Sequence, residues 1–180
     1  LREELEREES KYNFRKTFLN IAGVLTVTAA VAVLIATRLL ILVQVNGVSM
    51  APTLEKDEII FLRQTKEVKA GDVIGFYYGG RVLLKRVIAG GGDYIEIDNE
   101  GNVYVNDKKL EEPYLMGQSL GKCELDFPYQ VPEGMLFVLG DNRAVSMDSR
   151  IKAIGCVEKD QIVGKVVFRA WPLTRMGIMH

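Results

Sequence analysis

Ser49 lies in the run Gly47-Val48-Ser49-Met50-Ala51-Pro52-Thr53, directly after a β-branched apolar stretch. Gly47 permits close backbone approach and Pro52 fixes a bend, so the hydroxyl is held at a strand end, about where a reachable nucleophile must sit. Alone this is weak, because a serine in a Gly/Pro turn is usually structural. Lys85 lies in Leu83-Leu84-Lys85-Arg86-Val87-Ile88, where strict alternation sends Lys85 and Val87 to one face and Arg86 and Ile88 to the other. Burying a lysine among apolar neighbours disfavours its charged form, and an amine brought toward neutrality can act as a general base. The competing reading is an edge-strand lysine whose stem snorkels to water. The third segment is Gly140-Asp141-Asn142-Arg143-Ala144-Val145-Ser146-Met147-Asp148-Ser149-Arg150. Two Asp, two Ser, an Asn and two Arg within 11 residues suit a buried, hydrogen-bonded loop with Arg–carboxylate pairing better than a solvated turn.

What is absent narrows the chemistry. The one histidine of the 180 residues is His180, at the terminus, which argues against a Ser-His-Asp or Cys-His site. With only Cys123 and Cys156 beside it, a tetrahedral Cys/His zinc site cannot be assembled, and neither a metal nor another cofactor is expected. The 23 basic and 24 acidic residues nearly cancel, which excludes a strongly basic nucleic-acid binder and an acidic disordered tail. Catalysis here falls to hydroxyls, carboxylates, lysines or thiols. The two cysteines, 33 apart, leave a disulfide and two free thiols both open.

The elements that must position these groups fall into two parts. Thr17 to Thr37 carries no charge over 21 residues and is bounded by Arg15, Lys16 and Arg38. As a helix it spans about 30 Å, the thickness of a bilayer's hydrocarbon core, and it has almost no polar face. The small-x-small triplet Ala30-Val31-Ala32 raises the alternative of a cleaved secretory signal, but it lies inside the apolar run, which is long for a signal. The expected organisation is a charged cytoplasmic stub over 1–16, a transmembrane anchor over 17–38 and an extracytoplasmic domain over 39–180. Lys11, Arg15 and Lys16 against the single Arg38 place the N-terminus in the cytoplasm. The chain opens on Leu1 rather than Met, so further N-terminal sequence is expected.

Beyond residue 38 short strand-like runs recur: Leu39–Val45, Glu58–Leu62, Asp72–Tyr78, Arg81–Ile88, Tyr94–Ile97, Val103–Val105, Met135–Leu139 and Ile162–Arg169. Gly-, Asn- and Asp-rich turns separate them, which predicts hairpin-linked antiparallel sheets rather than parallel βαβ units. The fold class is mostly β: an antiparallel, barrel-like catalytic domain hung from one N-terminal transmembrane helix.

Taken together, the segments resemble the boxes of bacterial type I signal peptidases, membrane-anchored serine proteases with a Ser–Lys dyad. The matching residues are Gly47-x-Ser49-Met50-x-Pro52-Thr53, Lys69-x-Gly71-Asp72-Val73, Lys85-Arg86-Val87-Ile88 running to Gly92-Asp93, and Gly140-Asp141-Asn142-Arg143-x-x-Ser146-x-Asp148-Ser149-Arg150. Their order and spacing agree over roughly residues 40–170. The resemblance implies that Ser49 is the nucleophile and Lys85 its base, and that Ser146 hydrogen-bonds and orients the Lys85 amine. It implies structural pairs between Arg86 and Asp141 and between Asp148 and Arg150. It further implies removal of signal peptides from secreted preproteins after small-x-small sites, with membrane lipid as the other partner and no role for nucleic acid or metal.

In that picture the substrate lies extended beside the strand of Lys85, and Val45, Gly47, Met50, Leu54 and Leu84 form shallow pockets for the small side chains. Some positions depart from the commonest pattern. Gly47 stands where some members carry a serine that helps the oxyanion hole, leaving the Ser49 backbone N–H and an unnamed second donor. Ala89 and Gly91 replace a usual Gly and Pro, and Val145 a frequent Asn. The domain is compact, like the shorter Gram-positive members. Two alternatives remain open to test: a self-cleaving Ser–Lys repressor, against which the anchor argues, and a catalytically inactive anchored β module that binds exported chains.

Overall fold

Alternating β-branched and aromatic residues between tight turns favour short antiparallel strands, and the computed structural model contains them. It describes residues 2–179, with side chains for 14–34 and 38–179, so the expectation about the side chain of His180 lies outside the described residues. Two compact units result, one ending at Leu39 and one beginning at Leu40.

The first unit is a single helix, α1 (Arg2–Leu39), in which the charged stub and the apolar run are continuous. Its apolar stretch, Phe14–Leu34, has a mean hydropathy of 2.0 and no buried residue. The Thr26 and Thr28 hydroxyls donate to the carbonyls of Ala22 and Val24 one turn back, which satisfies these two hydroxyls within the helix.

The second unit holds β1 (Leu40–Gln44), β2 (Ile59–Arg63), β3 (Val73–Tyr78), β4 (Arg81–Gly90), β5 (Tyr94–Ile97), β6 (Val103–Val105), β7 (Lys108–Lys109), β8 (Tyr129–Gln130), β9 (Met135–Leu139), β10 (Val157–Glu158), β11 (Ile162–Trp171) and β12 (Gly177–Ile178). Every expected strand is present, with ends shifted by at most two residues. The large sheet runs β1-β2-β11-β3-β4-β9-β10 with β12 on β11, and a small sheet runs β7-β6-β5-β8. All pairings are antiparallel.

The large sheet does not stay flat. β11 pairs with β3 through its first residues and with β2 through its last, with register shifts along both seams. Such bulges bend a strand and sharpen its twist. Two glycines allow the tight curl: a Cβ on Gly75 would come within 2.5 Å of Leu62 Cδ2, and one on Gly164 within 2.5 Å of the Arg63 carbonyl oxygen. The curl brings β1, one end of the sheet, round to face the first half of β4, so that Leu42–Val45 and Arg81–Lys85 line the two sides of one cleft.

Three apolar clusters hold this shape. Val45, Met50, Leu54, Ile60, Leu62 and Leu84 fill the curled part. Ile74, Phe76, Val87 and Val138 pack the opposite face, with Leu83, Tyr78 and Ile154 at its margin. Ile88, Phe137 and Leu139 meet Ile95, Ile97 and Val103, which fastens the small sheet to the large one. Cys123 and Cys156 form no disulfide; burial raises the Cys156 thiol's pKa, and its Sγ lies 3.6 Å from the Tyr129 hydroxyl.

Candidate active site

Lys85 stands where β4 changes partners. Along Arg81–Arg86 the strand pairs with β3, but β9 joins its other edge only from Arg86 onward, opposite Leu139. Lys85 is therefore the last residue of an unpaired edge and the neighbour of a doubly paired stretch. Its side chain is 3% exposed, which sets aside the snorkelling alternative. Nζ donates to Ser49 Oγ at 2.8 Å and to the Leu84 carbonyl at 2.9 Å. Burial lowers its pKa from 10.5 to about 8, against the opposing pull of Asp148 and Asp141 and with help from Arg150.

Ser49 is presented by the loop that leaves β1. Ala51 N–H bonds the Val48 carbonyl at 3.2 Å and Leu54 N–H the Met50 carbonyl at 2.8 Å, winding residues 48–54 into a compact turn. Asn142 straps this turn to the polar loop: its N–H donates to the Ser49 carbonyl at 3.0 Å and its Nδ2 to the Val48 carbonyl at 3.3 Å. Gly140 is the point of closest packing. A Cβ there would lie 2.2 Å from Ser146 Oγ and 2.5 Å from the Ser49 carbonyl oxygen, so no larger residue fits without moving the loops apart.

The two expected ion pairs are present and buried. Arg86 grips Asp141 with two hydrogen bonds, Nε to Oδ1 at 2.8 Å and Nη2 to Oδ2 at 2.6 Å. Arg150 holds Asp148 likewise, through Nε at 2.8 Å and Nη2 at 2.8 Å. Ser146 is corrected in one respect. Its buried Oγ has no hydrogen-bond partner among the described residues, and the expected bond to the Lys85 amine is not made, because that amine donates to Ser49 and to the Leu84 carbonyl instead.

Sequence reasoning missed several supports. Tyr114 lies under the Arg86 guanidinium, 3.8 Å from ring centroid to Cζ, and Glu112 pairs with the buried Arg143. Thr53 Oγ1 donates to Asp141 Oδ2 at 2.5 Å. On the other flank Arg169 and Arg175 donate to the Thr53 and Pro52 carbonyls and pair with the buried Glu58. Glu112 and Tyr114 stand in an irregular stretch outside every motif, so no period or spacing marked them.

A cleft of about 550 Å³ runs along the unpaired edge and reaches Ser49 and Lys85. Val45, Gly47, Met50 and Leu84 line it. Leu54 does not: it is 0% exposed and lies behind the lining residues, in the cluster that also holds Val45, Met50 and Ile60. A Cβ on Gly47 would meet nothing within 4 Å, so this residue leaves the cleft wall low.

The chain is similar to known proteins. The family model for signal peptidase, peptidase S26, matches residues 18–171. Signal peptidase I S of Bacillus subtilis (strain 168) is 33% identical over 174 residues, covering 90% of this chain and 94% of that protein. Signal peptidase IB of Staphylococcus aureus (strain Mu50 / ATCC 700699) is 38% identical over 151 residues, covering 72% of this chain and 77% of that protein. A crystal structure of a signal peptidase I from Enterococcus faecalis V583 aligns with a TM-score of 0.48 at 30% identity, covering 57% of this chain and 98% of that one.

Proposed function

The chain belongs to the S26 signal peptidase family and is a serine endopeptidase of the signal peptidase I type, and we propose that it cuts signal peptides from exported preproteins with Ser49 as nucleophile and Lys85 as general base. One observation carries this: a desolvated amine with its pKa near 8 stands 2.8 Å from a serine hydroxyl at the end of an open cleft. Neutral Lys85 takes the Ser49 proton as Oγ attacks the scissile carbonyl, then gives it to the leaving amine. Water deprotonated by the same amine releases the acyl-enzyme. The Ser49 N–H is one donor to the oxyanion. Asp141, Asp148, Arg86 and Arg150 hold the loops around the pair. Ser146 joins the Lys85 amine once that amine has taken the proton from Ser49.

The substrate adds as an extended strand to the unpaired edge of β4, where its backbone finds N–H and C=O groups that no strand of this chain engages among the described residues. Val45, Met50 and Leu84 then limit the side chains one and three residues before the cut to small ones. α1 crosses the membrane with its N-terminus in the cytoplasm, as the basic residues before the apolar stretch favour. Being tethered to the membrane that holds the precursor's apolar segment raises the effective concentration of the cleavage site.

The test is cleavage of a labelled precursor by the full chain in detergent. Ser49→Ala and Lys85→Ala should each abolish mass loss while the far-UV dichroism stays that of a folded β protein, and Ser146→Ala should lower the rate only in part. Normal processing by either of the first two removes the assignment. An inactive binding module would show no mass loss with the unaltered chain.

A further inference from the structure

A second cavity, of about 460 Å³, opens on the other face of the same β4 edge. The two faces are distinct. Val82 and Leu84 pack into the cluster of Val45 and Met50, whereas Leu83, like Tyr78 and Ile154, packs against the cluster of Ile74 and Phe76. Arg81, Leu83, Lys85 and Ser49 border both cavities, so the second is continuous with the reacting pair. Its far wall is the polar loop, through Val145 and Met147, which are 56% and 60% exposed.

An added strand places successive side chains on opposite faces of a sheet, and each faces the same way as the residue directly across the ladder. A peptide whose first and third residues before the cut face Leu84 and Met50 must turn its second toward Leu83. We infer that this second cavity is a subsite for the residue between the two small ones, and that it selects a bulky apolar side chain there and rejects a basic one. The inference rests on the proposed dyad and on the β4 edge as the substrate's track.

The chemistry follows from the walls. Leu83, Val145, Met147 and Ile154 offer apolar surface that a large side chain would cover. The Tyr78 hydroxyl is already committed to the Ala153 carbonyl at 2.9 Å, so it makes no demand on the occupant. Arg81 is exposed and has no ion pair among the described residues, so its charge stands unneutralised at the rim. A lysine or arginine arriving there meets like charge, and a glutamate meets its complement.

The experiment compares kcat/KM of the full chain in detergent for precursors that differ only at this position: Ala, Leu, Glu and Lys. Leu should exceed Ala by about tenfold, the scale on which an apolar pocket discriminates, and Glu should exceed Lys. Met147→Ala should pull the Leu/Ala ratio toward one, and Arg81→Glu should invert the Glu/Lys ratio. Ratios that neither variant moves would overturn the subsite while leaving the dyad intact. So would a Met147→Ala effect confined to the residue after the cut. Full activity of Ser49→Ala would instead overturn the reading on which the inference depends.

Discussion

An amine with its pKa near 8 is mostly protonated at neutral pH, so with Lys85 as the proposed base the rate would be limited by the fraction that has lost its proton. The kcat/KM of precursor cleavage should therefore rise about tenfold per pH unit below 8 and level off above it. A flat profile between pH 6 and 9 would mean that another group supplies the base. The same shift has a stability counterpart. Below about pH 8 both the folded and unfolded chains hold the Lys85 proton, and the cost of burying the charge is fully present; between about 8 and 10.5 only the unfolded chain holds it, so folding gains stability as pH rises. Lys85→Met should consequently raise stability at pH 7 by up to about 3 kcal/mol, the lowering from 10.5 to about 8 at 1.36 kcal/mol per unit, and the gain should vanish by about pH 11 in urea titrations. Ser49 and Lys85 stood out as candidates from their local runs, but each run alone favoured a structural reading; the resemblance of all the segments together singled them out and supplied both Arg–Asp pairings, which the structure contains. The hydroxyl of Ser146 was placed correctly in the loop but not in its bonding, since the direction of one rotamer leaves no trace in spacing.

Strands long enough to show a period were read to within two residues, while the two-residue pairs β7, β8, β10 and β12 were not. Two residues cannot express an alternation, and their pairing is set by the longer strands they join. Leu54 misled for a related reason: an apolar residue near a nucleophile reads equally well as pocket or core until the turn's direction is known. The loops around the reacting pair depend on a contact that only a residue without a side chain permits. Gly140→Ala would drive a methyl group into Ser146 and the Ser49 carbonyl. It should lower kcat at least tenfold while KM changes little, and cost on the order of 1–3 kcal/mol in thermal or urea unfolding. Wild-type kcat would mean that the two loops part without disturbing the dyad.

The whole chain divides at Leu39–Leu40 into a helix and a β unit with its own core. A chain beginning at Leu40 should fold in detergent-free buffer or with mild detergent, and cut short soluble peptides at a rate within about threefold of the full chain. On precursors embedded in vesicles it should fall behind by about 100-fold, the scale that tethering confers. Equal rates on vesicles would assign α1 no part in presenting substrate. The division between apolar helix and β unit was plain in the sequence because the composition changes abruptly there; the curl of the large sheet was not, because it follows from Gly75, Gly164 and the bulged register of β11, which pair residues distant in the chain. That curl leaves a barrel short of one stave, with the edges of β1 and β4 turned toward each other. Any polypeptide that can be drawn out straight completes the cask through its main chain, whatever most of its side chains are. On the proposed track along β4, a catalyst built this way would accept leaders that share no common sequence, filtering them at only a few positions and otherwise reading extension.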